Sequence, residues 1–94
     1  MPWRRSRGPE LPPGVVLLGR DGCHLCEEAE AVVADACARA GVDWHRVQLA
    51  DRPDLTGRYA EKVPVLFVDG RELSYWRVAP DVLQRALRRR RGRR

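Results

Sequence analysis

At 94 residues the chain has room for one domain with a modest core and not for a second lobe. Its formal net charge of +5 belongs to the ends: residues 88–94 carry six arginines, whereas residues 15–87 hold nine basic against twelve acidic side chains. No segment approaches the roughly 18 consecutive apolar residues of a membrane span, and three cysteines, an odd number, exclude a fully paired disulfide framework.

Residues 1–14 (MPWRRSRGPELPPG) lack an apolar period and are broken by prolines and glycines. That pattern predicts a disordered or loosely docked arm, with Trp3 exposed or lightly docked. Its arginines lead into VVLLG, Val15–Gly19. The run is shorter than the roughly 7–15 residues of a signal-peptide core, and no small-residue cleavage site follows, so a cytoplasmic location is expected. Bounded by glycines, it reads as a strand buried on both faces. From Cys23 to Ala40 the period changes: Leu25, Ala29, Val32, Ala36 and Ala40 recur at spacings of three and four, with Val33 and Cys37 beside them. Acidic residues crowd the first turns of this helix, Arg39 stands in its last, and Gly41 is placed to stop it. Val42–Ala50 alternates and predicts a half-exposed edge strand carrying Trp44 and His45, read as packing and structural residues. Asp51 as N-cap and Pro53 early predict a short helix before Lys62, with Tyr59 packing inward. Val65–Val68 is an apolar strand, Asp69-Gly70 a two-residue hairpin turn, and Arg71–Trp76 the return strand. Pro80 opens a last helix striped by Val82, Leu83, Ala86 and Leu87. The order β-α-β-α-β-β-α over residues 15–87 predicts a three-layer α/β domain around one mixed four-stranded sheet. Residues 88–94 follow as an arginine-rich tail.

The chemistry centres on GRDGCHLCEE, Gly19–Glu28. Two cysteines with two residues between them can hold a metal, form a structural disulfide, or exchange electrons. A chain expected in a reducing compartment disfavours the structural disulfide. Tetrahedral zinc needs four ligands; Cys23, His24, Cys26, Cys37 and His45 offer donors, but without a second C-x-x-C or an H-x₃₋₅-H pair. The redox reading has a physical basis. The pair opens a helix directly after a strand, where free N–H groups and the positive dipole end stabilise a thiolate. Cys23 is then the nucleophile and Cys26, within the same turn, attacks the disulfide that Cys23 forms. Arg20 would add positive potential, and His24 would tune the thiolate. Cys37, near the apolar stripe, reads as a small core residue. Pro64 stands ahead of an apolar strand; a trans proline at a strand's first residue is the ordinary reading, and a cis Val63–Pro64 bond is the alternative. Tyr75 and Trp76 follow the hairpin and are candidates to edge a substrate groove. The arginine tail has no base-stacking aromatics, so weak electrostatic contact with acidic partners or nucleic acid is its functional reading, and a solvated end its plain one.

With CHLC at the first helix and KVPVLFVDG before the hairpin, the chain resembles the glutaredoxins of the thioredoxin superfamily over about Val15 to Leu87. It most resembles their small, poorly characterised bacterial relatives. The resemblance implies a thioredoxin/glutaredoxin fold and thiol–disulfide oxidoreductase activity in cell redox homeostasis. It implies Cys23 as nucleophile, Cys26 as resolving thiol, Pro64 as a cis-proline, and Val63 pairing its backbone with bound substrate. Arg20 matches the basic residue three before the first cysteine. His24-Leu25 replaces the family's usual Pro-Tyr, Lys62 its threonine, and Ser74–Val78 the glycines and acidic stretch that grip glutathione. The expectation is therefore a monomer with no bound cofactor beyond its redox-active disulfide, acting on a disulfide-containing protein or a small thiol, glutathione or another. The alternatives are a redox-inactive or sensing module that binds acidic partners or nucleic acid through its arginine tail, and a metal or iron–sulfur carrier.

Overall fold

The structure is a computed structural model and describes residues 9–92, without the side chains of residues 91 and 92. The first part of the arm, with Trp3, and the last two tail arginines lie outside the described residues. Strand β1 (Val15–Gly19) leads into helix α1 (His24–Ala40) and strand β2 (Trp44–Gln48). A 3-10 turn at Leu49–Asp51 precedes helix α2 (Pro53–Tyr59). Strands β3 (Val65–Val68) and β4 (Arg71–Tyr75) form the hairpin, and helix α3 (Pro80–Gly92) closes the fold. The sheet order is β2-β1-β3-β4. β1 runs parallel to β2 and antiparallel to β3, and β3 runs antiparallel to β4.

β1 is wholly buried because both of its faces are covered. Val15 and Leu17 pack with Ala29, Val33, Leu83 and Leu87 of α1 and α3. Val16 and Leu18 pack with Leu55 and Tyr59 of α2, with Phe67, and with Cys26. Alternate side chains of one apolar strand thus feed two separate cores, which is what a three-layer arrangement requires. Tyr59 is buried and meets Phe67 edge-on, with ring centroids 5.6 Å apart. Trp44 packs at the border of the α1–α3 core. His45, read as structural, is instead exposed on the edge strand β2.

Several boundaries move. Cys23 does not belong to α1 but caps it, in extended conformation. The buried side of α1 is Cys26, Ala29, Val33, Ala36 and Cys37; Leu25, Val32 and Ala40 lie at its margin. β2 stops at Gln48, since Leu49 turns into the 3-10 segment. Asp51 is used in that turn, so Arg52 is the N-cap of α2, with Pro53 first in the helix. β4 ends one residue early because Trp76 leaves the strand at φ 67°. α3 continues beyond Leu87 to Gly92, so the first arginines of the tail are helical. The last part of the arm is docked: Leu11 packs on the α2-side core and Arg52 donates to the Glu10 carbonyl at 2.9 Å.

Candidate active site

β1 ends at Gly19, and the chain passes Gly22 at φ 70° before Cys23. That left-handed step suits glycine and turns the chain sharply into α1. Cys23 and Cys26 are joined as a disulfide with Cα atoms 5.1 Å apart. The Cys26 backbone N–H donates to Cys23 Sγ at 3.1 Å, one of the free donors at a helix N-terminus satisfied by sulfur. The two sulfurs have unequal surroundings. Cys26 is 2% exposed, among Leu18, Val63 and Val65, whereas Cys23 is only partly buried at the edge of that core. Gly19 makes room for this: a Cβ there would stand 3.3 Å from Cys26 Sγ. In the sequence Gly19 stands out only as a strand boundary; its position one residue before the turn into the dithiol is the available signal.

Val63 and Pro64 are buried beside the same core as Cys26, and the Val63–Pro64 peptide is cis. The core that holds Cys26 therefore also holds Val63, although thirty-seven positions in sequence separate them. The Pro64 carbonyl accepts from the Trp76 N–H at 2.8 Å, which ties the end of β4 to this proline. Tyr75 and Trp76 stand together, edge to face with ring centroids 5.0 Å apart, and both are exposed.

Two candidates point elsewhere. Arg20 donates to the Ala60 carbonyl at 3.3 Å, at the C-terminal end of α2. His24 turns along the outside of α1, with Nε2 3.2 Å from Glu28. Glu28 also lies 3.9 Å from Arg77, a link from the segment after Trp76 to the first turns of α1. Lys62 was seen in the sequence only as a replaced threonine. Its ammonium pairs with Glu72 at 3.2 Å and lies 4.8 Å from the Tyr75 ring centroid. Only the hairpin's return past Lys62 creates that arrangement, so no local pattern announces it.

Cys37 is buried in the other core, and burial pushes its thiol up from the ordinary value. Among the described residues, no three His, Cys, Asp or Glu side chains come together as a metal-holding group, and no helix is long and apolar enough to cross a membrane.

The arrangement is a pair of disulfide-linked cysteines at a helix N-terminus, past the end of a central strand of a mixed four-stranded sheet. Residues 14–88 match the family described as Glutaredoxin-like domain (DUF836). An uncharacterised protein of Mycobacterium tuberculosis is 32% identical over 71 residues, 70% of this chain and 73% of that protein. A protein from X. campestris, solved by X-ray, is similar with TM-score 0.66 and 34% identity, over 81% of this chain and 97% of that one. A Nitrosomonas europaea protein solved by NMR gives TM-score 0.67 and 29% identity, over 84% and 96%. With the family pattern matched from the residue before β1 into α3, the chain belongs to the glutaredoxin-like domain family, within the thioredoxin superfamily.

Proposed function

We propose that the protein is a thiol–disulfide oxidoreductase in which Cys23 attacks and Cys26 resolves. The observation that carries this assignment is the asymmetry of the pair: Cys23 is partly exposed at the N-cap and accepts a backbone N–H, while Cys26 is buried. An N-terminal helix position stabilises a thiolate, and thiols so placed fall to roughly 3.5–7.5 from about 8.5. In the reduced protein the Cys23 thiolate attacks one sulfur of a substrate disulfide. A mixed disulfide forms and the first substrate thiolate leaves. Cys26 then loses its proton and attacks Cys23 Sγ, releasing the second substrate thiolate. The substrate gains two electrons and the dithiol becomes the Cys23–Cys26 disulfide. Two low-molecular-weight thiols, glutathione or another, or one external dithiol return it to the reduced form.

Val63 and Pro64 are the proposed docking edge for the substrate backbone, in line with the family resemblance. Arg20 and His24 act at a distance, through the field at the helix end, since their side chains reach toward Ala60 and Glu28. The reading also takes the protein to be a monomer in a reducing, cytoplasmic setting.

The test follows iodoacetamide alkylation of the reduced protein against pH, together with reduction of 2-hydroxyethyl disulfide. Wild type is expected to show a reactive thiol titrating below 8.5, and Cys23→Ser to lose both that titration and the activity. Cys26→Ser is expected to retain the reactive thiol and to accumulate mixed disulfide. An alkylation midpoint at or above the free value, with equal turnover in Cys23→Ser, would sink the assignment.

A further inference from the structure

The two large apolar side chains left exposed among the described residues, Tyr75 at 45% and Trp76 at 52%, are adjacent and touch each other. Exposed apolar surface gathered in one place marks a contact site more often than scattered residues do. The backbone here is also unusual. The Arg77 N–H donates to the Tyr75 carbonyl at 2.8 Å across Trp76, whose φ is 67°. This is a three-residue turn of the rare, strained hand, and Trp76 is neither glycine nor asparagine. The strained residue is fixed on three sides. Its N–H donates to the carbonyls of Pro64 at 2.8 Å and Lys62 at 3.3 Å, and its indole Nε1–H donates to the Glu61 carbonyl at 2.9 Å. A bulky side chain is thus held half in solvent by bonds that a smaller residue could not all make. Strain maintained in this way is a pointer to function.

The charges around the shelf are already engaged. Lys62 pairs with Glu72, and Arg77 lies near Glu28. An anionic tripeptide would have to compete for both cations, while an apolar side chain needs only the ring surface of Trp76 and the part of Tyr75 that Lys62 leaves open.

We infer that Tyr75 and Trp76 form a preordered aromatic shelf beside Pro64 that selects peptide disulfides carrying an apolar side chain next to the reacting cysteine, in preference to glutathione disulfide. The inference rests on the dithiol reading and adds its substrate class. Rigid, half-exposed aromatics give contact area at small ordering cost, and single aromatic anchors commonly control a binding site.

The test compares kcat/KM of the reduced protein for three disulfides: a short peptide disulfide with leucine beside cysteine, the same peptide with glycine there, and glutathione disulfide. The leucine peptide is expected to exceed each of the others by roughly tenfold. In Trp76→Gly, which the positive φ accommodates, that ratio is expected to fall toward one; Trp76→Phe is expected to retain most of it. A wild-type ratio near one, or a ratio unmoved in Trp76→Gly, overturns the shelf. A second measurement is independent of exchange: the Trp76 indole N–H resonance is followed while cysteine-to-serine versions of both peptides are added. A larger shift and tighter saturation with the leucine peptide supports the shelf even if no disulfide is turned over, and equal behaviour overturns it. Loss of all turnover with a retained leucine preference in this titration refutes the dithiol reading alone.

Discussion

Cys23, Cys26 and Cys37 share one side chain and differ in everything around it. Cys23 has a backbone donor and partial exposure; Cys26 has a packed apolar surround; Cys37 lies on the buried side of α1 with no access. Reactivity of a thiol follows its thiolate fraction and its exposure, so the three are expected to separate by rate rather than to react together. The pH behaviour of Cys37 follows from its burial. Desolvation raises its pKa in the folded protein, so the folded state holds this proton more tightly than the unfolded state does. The resulting stability is fully present below the unfolded value of about 8.5 and is lost as pH rises through the raised one. Urea unfolding of reduced protein between pH 7 and 10 is therefore expected to show a falling midpoint. In Cys37→Ala the midpoint starts lower, because the core has lost a side chain, but falls less steeply over the same range. Parallel slopes for the two proteins would contradict the assignment.

The ends of α1 place the chemistry, and its last turn is the easiest to test. The Gly41 N–H donates to the Ala38 carbonyl at 3.2 Å and the Val42 N–H to the Cys37 carbonyl at 2.9 Å, with Gly41 at φ 70°. This pair of bonds closes a helix only if the residue past its end is left-handed. A Cβ at Gly41 would meet nothing within 4 Å, so Gly41→Ala isolates the backbone cost. It is expected to destabilise the protein by about 1 kcal/mol, read as a lower urea midpoint at unchanged slope. Such local devices were legible in the sequence: Gly41 as a stop, Pro53 and Pro80 as first-turn prolines, Asp69-Gly70 as a turn with both φ values positive. The apolar runs of β1 and β3 and the helix-start position of the dithiol were legible for the same reason. What was not legible depends on partners far along the chain. The strained turn at Trp76 needs the carbonyls of Glu61, Lys62 and Pro64. The buried side of α1 is set by where α3 and β1 fall, so a periodic stripe gives it only to within a residue. Arg20 and His24 sit beside the cysteines in sequence, yet their side chains find better partners elsewhere.

Across the whole molecule, the dithiol lies past the C-terminal end of β1, and a polar clamp lies at the strand's other end. Asp69 is its centre. Its carboxylate accepts from the Gly14 N–H at 2.9 Å and from Arg90 Nε at 2.8 Å, and its own N–H donates to the Gly14 carbonyl at 2.8 Å. One side chain in the hairpin turn thereby joins the arm before β1 to the last turns of α3, and Asp69 holds the Arg90 guanidinium firmly protonated. Both ionic partners are more than a third exposed, so solvent and salt screen the charge component. The value of the clamp is then closer to that of exposed hydrogen bonds than to that of a buried ion pair. Asp69→Ala removes the side-chain links to Gly14 and Arg90 and is expected to cost about 1–2 kcal/mol in urea unfolding. Asp69→Asn keeps an acceptor for Gly14 and tolerates the left-handed φ of 51°, so it is expected to lose less than half as much. The difference between the two variants reads mainly the hydrogen bond to the arm; the difference between Asn and wild type reads the link to Arg90, its Oδ2 acceptor and its charge together, and only the latter is expected to shrink in 0.5 M salt, at roughly half the usual Debye length. Because the whole length of β1 stands between clamp and dithiol, the alkylation midpoint of Cys23 is expected to be the same in all three proteins. A shifted midpoint in Asp69→Ala would mean that the two ends of the sheet are coupled through β1, and that the strand is less rigid than its complete burial implies.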